Sequence, residues 1–79
     1  MSYKEKIRVF LAKYISKHDL QDDDDIFALG LVNSMFAMEL VLFIEKEFDI
    51  HITNQDLDLA NFKSINALNA LVERKQSQR

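Results

Sequence analysis

Apolar residues recur along this chain at steps of three and four, the period of an α-helix with one buried face. The first such stretch covers residues 3–18, where Ile7, Phe10, Leu11, Tyr14 and Ile15 form one stripe and the lysines fall mostly outside it. The period then lapses. Residues 19–32 carry an acidic run, Asp22, Asp23, Asp24 and Asp25, and then Ile26, Phe27, Leu29, Gly30, Leu31 and Val32. A connection this long between helices is often functional, and its apolar second half predicts that it lies pinned against the bundle.

Helical spacing returns at Asn33 and Ser34 and runs to Phe48. Asn is among the best N-cap residues, because its side-chain oxygen can accept from the open N–H groups of the first turn. Further on, Thr53 and Asp56 have the spacing of a capping box ahead of Leu57 and Leu59, which predicts a short helical segment. Ser64 is placed to cap a last helix with the stripe Ile65, Leu68, Leu71 and Val72, fraying over residues 73–79. The expected architecture is all-α, with three longer helices, one short helix and a long first loop, in a single domain over residues 1–79.

Composition narrows this further. With 48% hydrophobic residues the chain should fold, yet it has no Pro and a single Gly, too few turn formers for a β-sandwich or barrel. The absence of Cys removes disulfides, thiolate metal sites and cysteine catalysis together. No apolar run approaches the ~18 residues of a membrane span, and residues 1–5 lack a signal peptide's apolar core. The expectation is a complete, soluble, cytoplasmic protein with no membrane partner.

The net charge of -3 is unevenly spread. Residues 1–18 hold five basic side chains against one acid, residues 19–50 nine acids against Lys46 alone, and residues 51–79 four basic side chains against three acids. So acidic a middle repels phosphate backbones and attracts basic protein surfaces, which argues against nucleic acid as a partner.

The helix starting at Ser34 is apolar on too many sides. One core-facing stripe uses Ala37, Leu40, Val41, Ile44 and Phe48, leaving Met35, Met38 and Leu42 as a second, with Phe36 and Phe43 beside it. A bundle this small cannot bury every face of one helix, although Phe43 could equally fill an irregular core. Exposed methionines adapt to several partners, and Glu39 and Glu45 would give the strip an acidic border. Ser34 lies at the first turn of this helix, where unpaired N–H groups and the helix dipole favour an anionic substituent.

Other constellations are weaker. Residues 22–25 lack the Gly and the distal Glu of a calcium-binding loop and are expected to be a solvated charge run. His18 and His51 lie far apart with no Cys beside them, so no metal site is expected, and His51 should be a surface residue after the long helix. A hydrolase built on Ser34 and His51 would need an orienting acid and an oxyanion hole, and nothing in the sequence marks either.

Taken together, Leu29-Gly30-Leu31-Val32-Asn33-Ser34-Met35, then Glu39-Leu40-Val41, then Glu45-Lys46-Glu47-Phe48-Asp49-Ile50, resemble an acyl carrier protein over essentially the whole chain. The resemblance implies a four-helix acyl-carrier-type bundle, a monomer that is not itself an enzyme. It implies that Ser34 receives a 4'-phosphopantetheine arm from coenzyme A through a phosphopantetheinyl transferase. The arm's thiol would hold acyl or aminoacyl groups as thioesters, serving acyl-activating, acyltransferase or dehydrogenase enzymes. Asn33, Met35, Phe36, Met38, Glu39, Leu42 and Glu45 would form the partner-binding face. Two positions depart from the family pattern. Asn33 stands where most members have Asp, keeping the cap and losing a charge that a transferase could pair with, and Phe36 stands where fatty-acid carriers are often polar. The string from Asn33 to Val41 resembles free-standing carriers of polyketide and nonribosomal pathways that make extender units such as methoxymalonyl or aminomalonyl thioesters. The alternatives are a D-alanyl or peptidyl carrier, and a non-carrier helical adaptor that binds partners through the exposed strip.

Overall fold

The computed structural model describes residues 2–15 and 19–77. Four helices follow in order: α1 (Tyr3–Ala12), α2 (Ser34–Phe48), α3 (Leu59–Phe62) and α4 (Ile65–Ser77). This is the all-α plan that the periodicity predicts. The caps are local and chemical: Ser2 accepts from Glu5 N–H at the start of α1, Asn33 from Phe36 N–H at α2, Asp58 from Ala60 N–H at α3 and Ser64 from Ala67 N–H at α4.

The first helix is shorter than its stripe predicts. Lys13 and Tyr14 donate three residues back, to the carbonyls of Phe10 and Leu11 at 3.1 and 3.0 Å, so the helix closes in a tightened turn. Ile15 still reaches the core. Residues 16–18, the expected end of that helix and the site of His18, lie outside the described residues.

The core is organised on α4, which packs against the three other helices. Ile65, Leu68, Leu71 and Val72 are inaccessible to solvent, and they share one buried cluster with Ile7 and Leu11 of α1, Leu40 and Ile44 of α2, and Phe62 of α3. The backbones of α1 and α2 approach each other less closely than either approaches α4, and aromatic side chains fill the space between them.

The long loop before α2 belongs to this core. Ile26 is fully buried and its N–H donates to the carbonyl of Lys63 at 2.8 Å. The acidic run stays at the surface, as expected of a solvated charge run, but its carboxylates are also tied to particular partners. Asp22 pairs with the guanidinium of Arg8 and lies 3.5 Å from the ammonium of Lys4, while its carbonyl accepts from Asn66 N–H. The side-chain amide of Asn66 donates to Asp23, and Asp24 accepts from Gln21 N–H at 2.9 Å. Asp25 accepts from the N–H groups of Phe27 and Ala28, starting a single turn that ends at Gly30. There Gly30 N–H donates to Phe27 and Leu31 N–H to Ile26, the bond pair of a glycine-closed helix end, and Gly30 takes the required positive φ of 72°. Four adjacent acids repel less than their spacing suggests because each has its own donor or cation nearby.

Candidate functional site

Ser34 is the first residue of α2. Asn33 before it is extended, with φ -128° and ψ -177°, and its Oδ1 accepts from Phe36 N–H at 3.0 Å while its carbonyl accepts from Ala37 N–H at 3.1 Å. Those two bonds close the turn around the serine without using it. Ser34 is exposed, and its hydroxyl has no hydrogen-bond partner among the described residues. The N–H groups of Ser34 and Met35 precede the first intrahelical bond and stay open, and no acid lies in this first turn. An exposed hydroxyl at the positive end of a fifteen-residue helix is well placed to carry a negatively charged substituent.

Beyond the serine, the three residues of the second apolar stripe stand in solvent: Met35 at 78%, Met38 at 70% and Leu42 at 61% exposure. Glu39 is exposed beside them. Of two other residues expected on this face, one is buried and one is engaged by the backbone. Phe36 is 9% exposed, because the helix turns it towards α1, where its ring lies 5.1 Å from Tyr14 and 6.0 Å from Phe10. Glu45 does not border the strip freely. Asp49 ends α2 in the left-handed conformation, φ 53°, and the chain doubles back over the last turn. Glu45 then accepts from Ile52 N–H at 2.8 Å and lies 3.7 Å from Nδ1 of His51, whose side chain is otherwise in solvent. Phe43 proves to be part of the packing, stacked on Phe10 at 4.0 Å.

On the other flank of α2 lies a feature that the sequence reading missed. Ala37, Met38 and Val41 form one wall of a mainly apolar groove of about 200 Å³, and Phe27, Leu57, Asp58, Leu59 and Phe62 complete it. Leu57 and Leu59 are more than half exposed on its rim. A usable signal was present: three large apolar residues, Phe27, Leu57 and Leu59, fall in non-periodic segments where no core stripe claims them. The rim is held by Asp56, which accepts from Thr53 N–H and Oγ1 at 3.0 Å and pairs with the ammonium of Lys75 at 2.7 Å. Thr53 and Asp56 thus close a turn, and the helix that follows takes its cap from Asp58 instead. The hydrogen bond from Lys75, with those from Thr53, holds the Asp56 carboxyl down at about 2. Asn61 ties the same turn to α3 by donating to the carbonyl of Asp56.

A family model described as phosphopantetheine attachment site matches residues 6–72, most of the chain and all of this site. The chain belongs to that family. Members of the phosphopantetheine attachment family carry a covalently bound 4'-phosphopantetheine, whose phosphate is an anion and whose thiol supplies the point at which a thioester forms. The first turn of α2 fits such a group on its own chemistry: an unpartnered hydroxyl, open N–H donors and no competing carboxylate. No curated protein matches the sequence. Among the described residues there is no cluster of His, Asp or Glu that could hold a metal ion, and no helix long and apolar enough to cross a membrane.

Proposed function

We propose that Ser34 is the attachment residue, and that the chain is a single carrier unit shuttling acyl or aminoacyl thioesters between the enzymes of a secondary metabolic pathway. The observation that carries this reading is the geometry of Ser34: exposed, free of hydrogen bonds among the described residues, and one position inside the Asn33 cap. Met35, Met38, Leu42 and Glu39 then form the face that a phosphopantetheinyl transferase and the loading enzymes press against. The chain supplies position and recognition, and its partners supply the catalysis. The test is intact mass after incubation with coenzyme A, magnesium and a broad-specificity phosphopantetheinyl transferase. One phosphopantetheine adduct, absent from Ser34→Ala, supports the carrier; no adduct from any transferase tried leaves an adaptor that works through the same strip.

Cargo is the finer question. The string from Asn33 to Val41 supports an extender unit of the methoxymalonyl or aminomalonyl kind. The groove beside α2 favours a second reading, an acyl group with an apolar end, because its lining is almost wholly hydrocarbon. The two separate on the melting temperature of the acylated protein. A medium-length alkyl thioester should raise Tm above that of the unacylated holo form if the groove accepts it, since a ligand that binds only the folded state stabilises it. A malonyl-type thioester should leave Tm where it was.

A further inference from the structure

Six aromatic rings form an unbroken row along the seam between α1 and α2. Tyr3 meets Phe48 edge to face at 5.3 Å, Phe48 meets Phe43 at 6.1 Å, and Phe43 stacks on Phe10 at 4.0 Å. Phe10 meets Phe36 at 6.0 Å, and Tyr14 closes the row, 5.1 Å from both Phe36 and Phe10. The row ends two residues from Ser34.

Phe36 links the start of α2 to that end of the row. From Asn33 to Glu39, Phe36 is the only buried side chain, while Asn33, Ser34, Met35, Met38 and Glu39 are exposed. The backbone anchor converges on the same residue, because Phe36 N–H is the group that Asn33 caps. Tyr14 covers Phe36 from the turn after α1 and is itself 54% exposed, so the deep core of Ile7, Leu11 and α4 does not rest on it. We infer that Tyr14 is a positioning residue for Ser34: by clasping Phe36 it keeps the first turn of α2 formed, and the serine presented, before any partner arrives. The inference rests on Ser34 being the attachment residue. If the turn opens part of the time, a partner that needs it formed sees only the competent fraction. Its apparent affinity falls by that fraction, while the step after binding is unchanged.

The experiment compares Tyr14→Ala, Tyr14→Phe and the parent chain by amide hydrogen exchange and by transferase kinetics with coenzyme A. In Tyr14→Ala the amides of Phe36 and Ala37 should exchange about two- to tenfold faster, the factor that losing the Tyr14–Phe36 pair gives, while those of Leu71 and Val72 keep their rates. KM for the carrier should rise with kcat unchanged, and Tyr14→Phe, which keeps the ring, should restore both readouts. Unchanged exchange at Phe36 and Ala37 would overturn the inference, and if KM still rose, Tyr14 would be a direct contact for the transferase. Faster exchange throughout α4 would also overturn it, by making Tyr14 an ordinary structural residue. The exchange arm needs no transferase, so failure of Ser34 to be modified would be recognised separately.

Discussion

The loop before α2 and the first turn of α2 are neighbours in sequence and opposites in how they are held. The acidic loop, which composition alone would leave in solvent, is fastened to α1 through Arg8 and Lys4 and to α4 through Asn66, and is pinned by the buried Ile26. The first turn of α2, the best-marked helix start in the sequence, is held by one cap and one buried ring. The difference separates two tasks. A braced loop fixes where the helix begins, and a lightly held turn leaves the serine and its N–H groups free of internal partners.

The strongest way to break this contrast is to remove the loop's apolar anchor. Ile26→Ala deletes a side chain with no solvent exposure and should lower the unfolding free energy by about 2–5 kcal/mol in urea denaturation. A loss below about 1 kcal/mol would mean that the ion pairs, and not Ile26, hold the loop. Acid probes the other braced turn. The Asp56 carboxyl is held below its ordinary value in the folded state, so its contribution is complete above about pH 4 and fades as pH falls towards about 2. Thermal melts should therefore lose several degrees over that interval, and Asp56→Asn should flatten that part of the profile while lowering Tm at pH 7.

Smaller effects belong to the light end. Asn33→Ala should cost about 1 kcal/mol, read as a Tm lower by roughly 4–8 °C. Asn33→Asp should keep the cap and add a few tenths of a kcal/mol from the helix dipole, a gain that fades with added salt. The smallest change in stability is expected at Glu39, where Glu39→Lys should leave Tm within a degree or two and, under the proposed function, slow modification of Ser34 by reversing charge on the face proposed for docking. Glu45→Lys should do the reverse, lowering Tm because Ile52 N–H loses its acceptor. Equal kinetic effects from the two would erase the distinction drawn between them.

Much of the fold was legible because its signals are local. Caps at Asn33 and Ser64 follow from one side chain meeting the N–H three residues on, and the stripe of α4 lies on a single face. The place of Ser34 at the start of α2 was legible for the same reason, as the residue beside the cap. What escaped depends on neighbours distant in sequence. Helical period alone cannot say which of two apolar faces of α2 is covered, and Phe36 is buried only because Phe10 and Tyr14 stand opposite it. The acceptor role of Glu45 escaped because it is created by the left-handed turn at Asp49. The four aspartates look alike in sequence, and what separates them is that Arg8, Gln21, Asn66 and two loop amides each reach a different one.

The ring row also has an optical consequence. The chain has no Trp and two Tyr, and those two stand at opposite ends of the row, Tyr14 beside the serine's turn and Tyr3 against Phe48. Fixed, asymmetric surroundings give tyrosine its near-ultraviolet circular dichroism, a signal lost when packing loosens. With no indole to mask them, replacing either tyrosine by Phe isolates the other. The protein thus carries one built-in reporter for the end of the row beside the Ser34 turn and a second for the end beside Phe48.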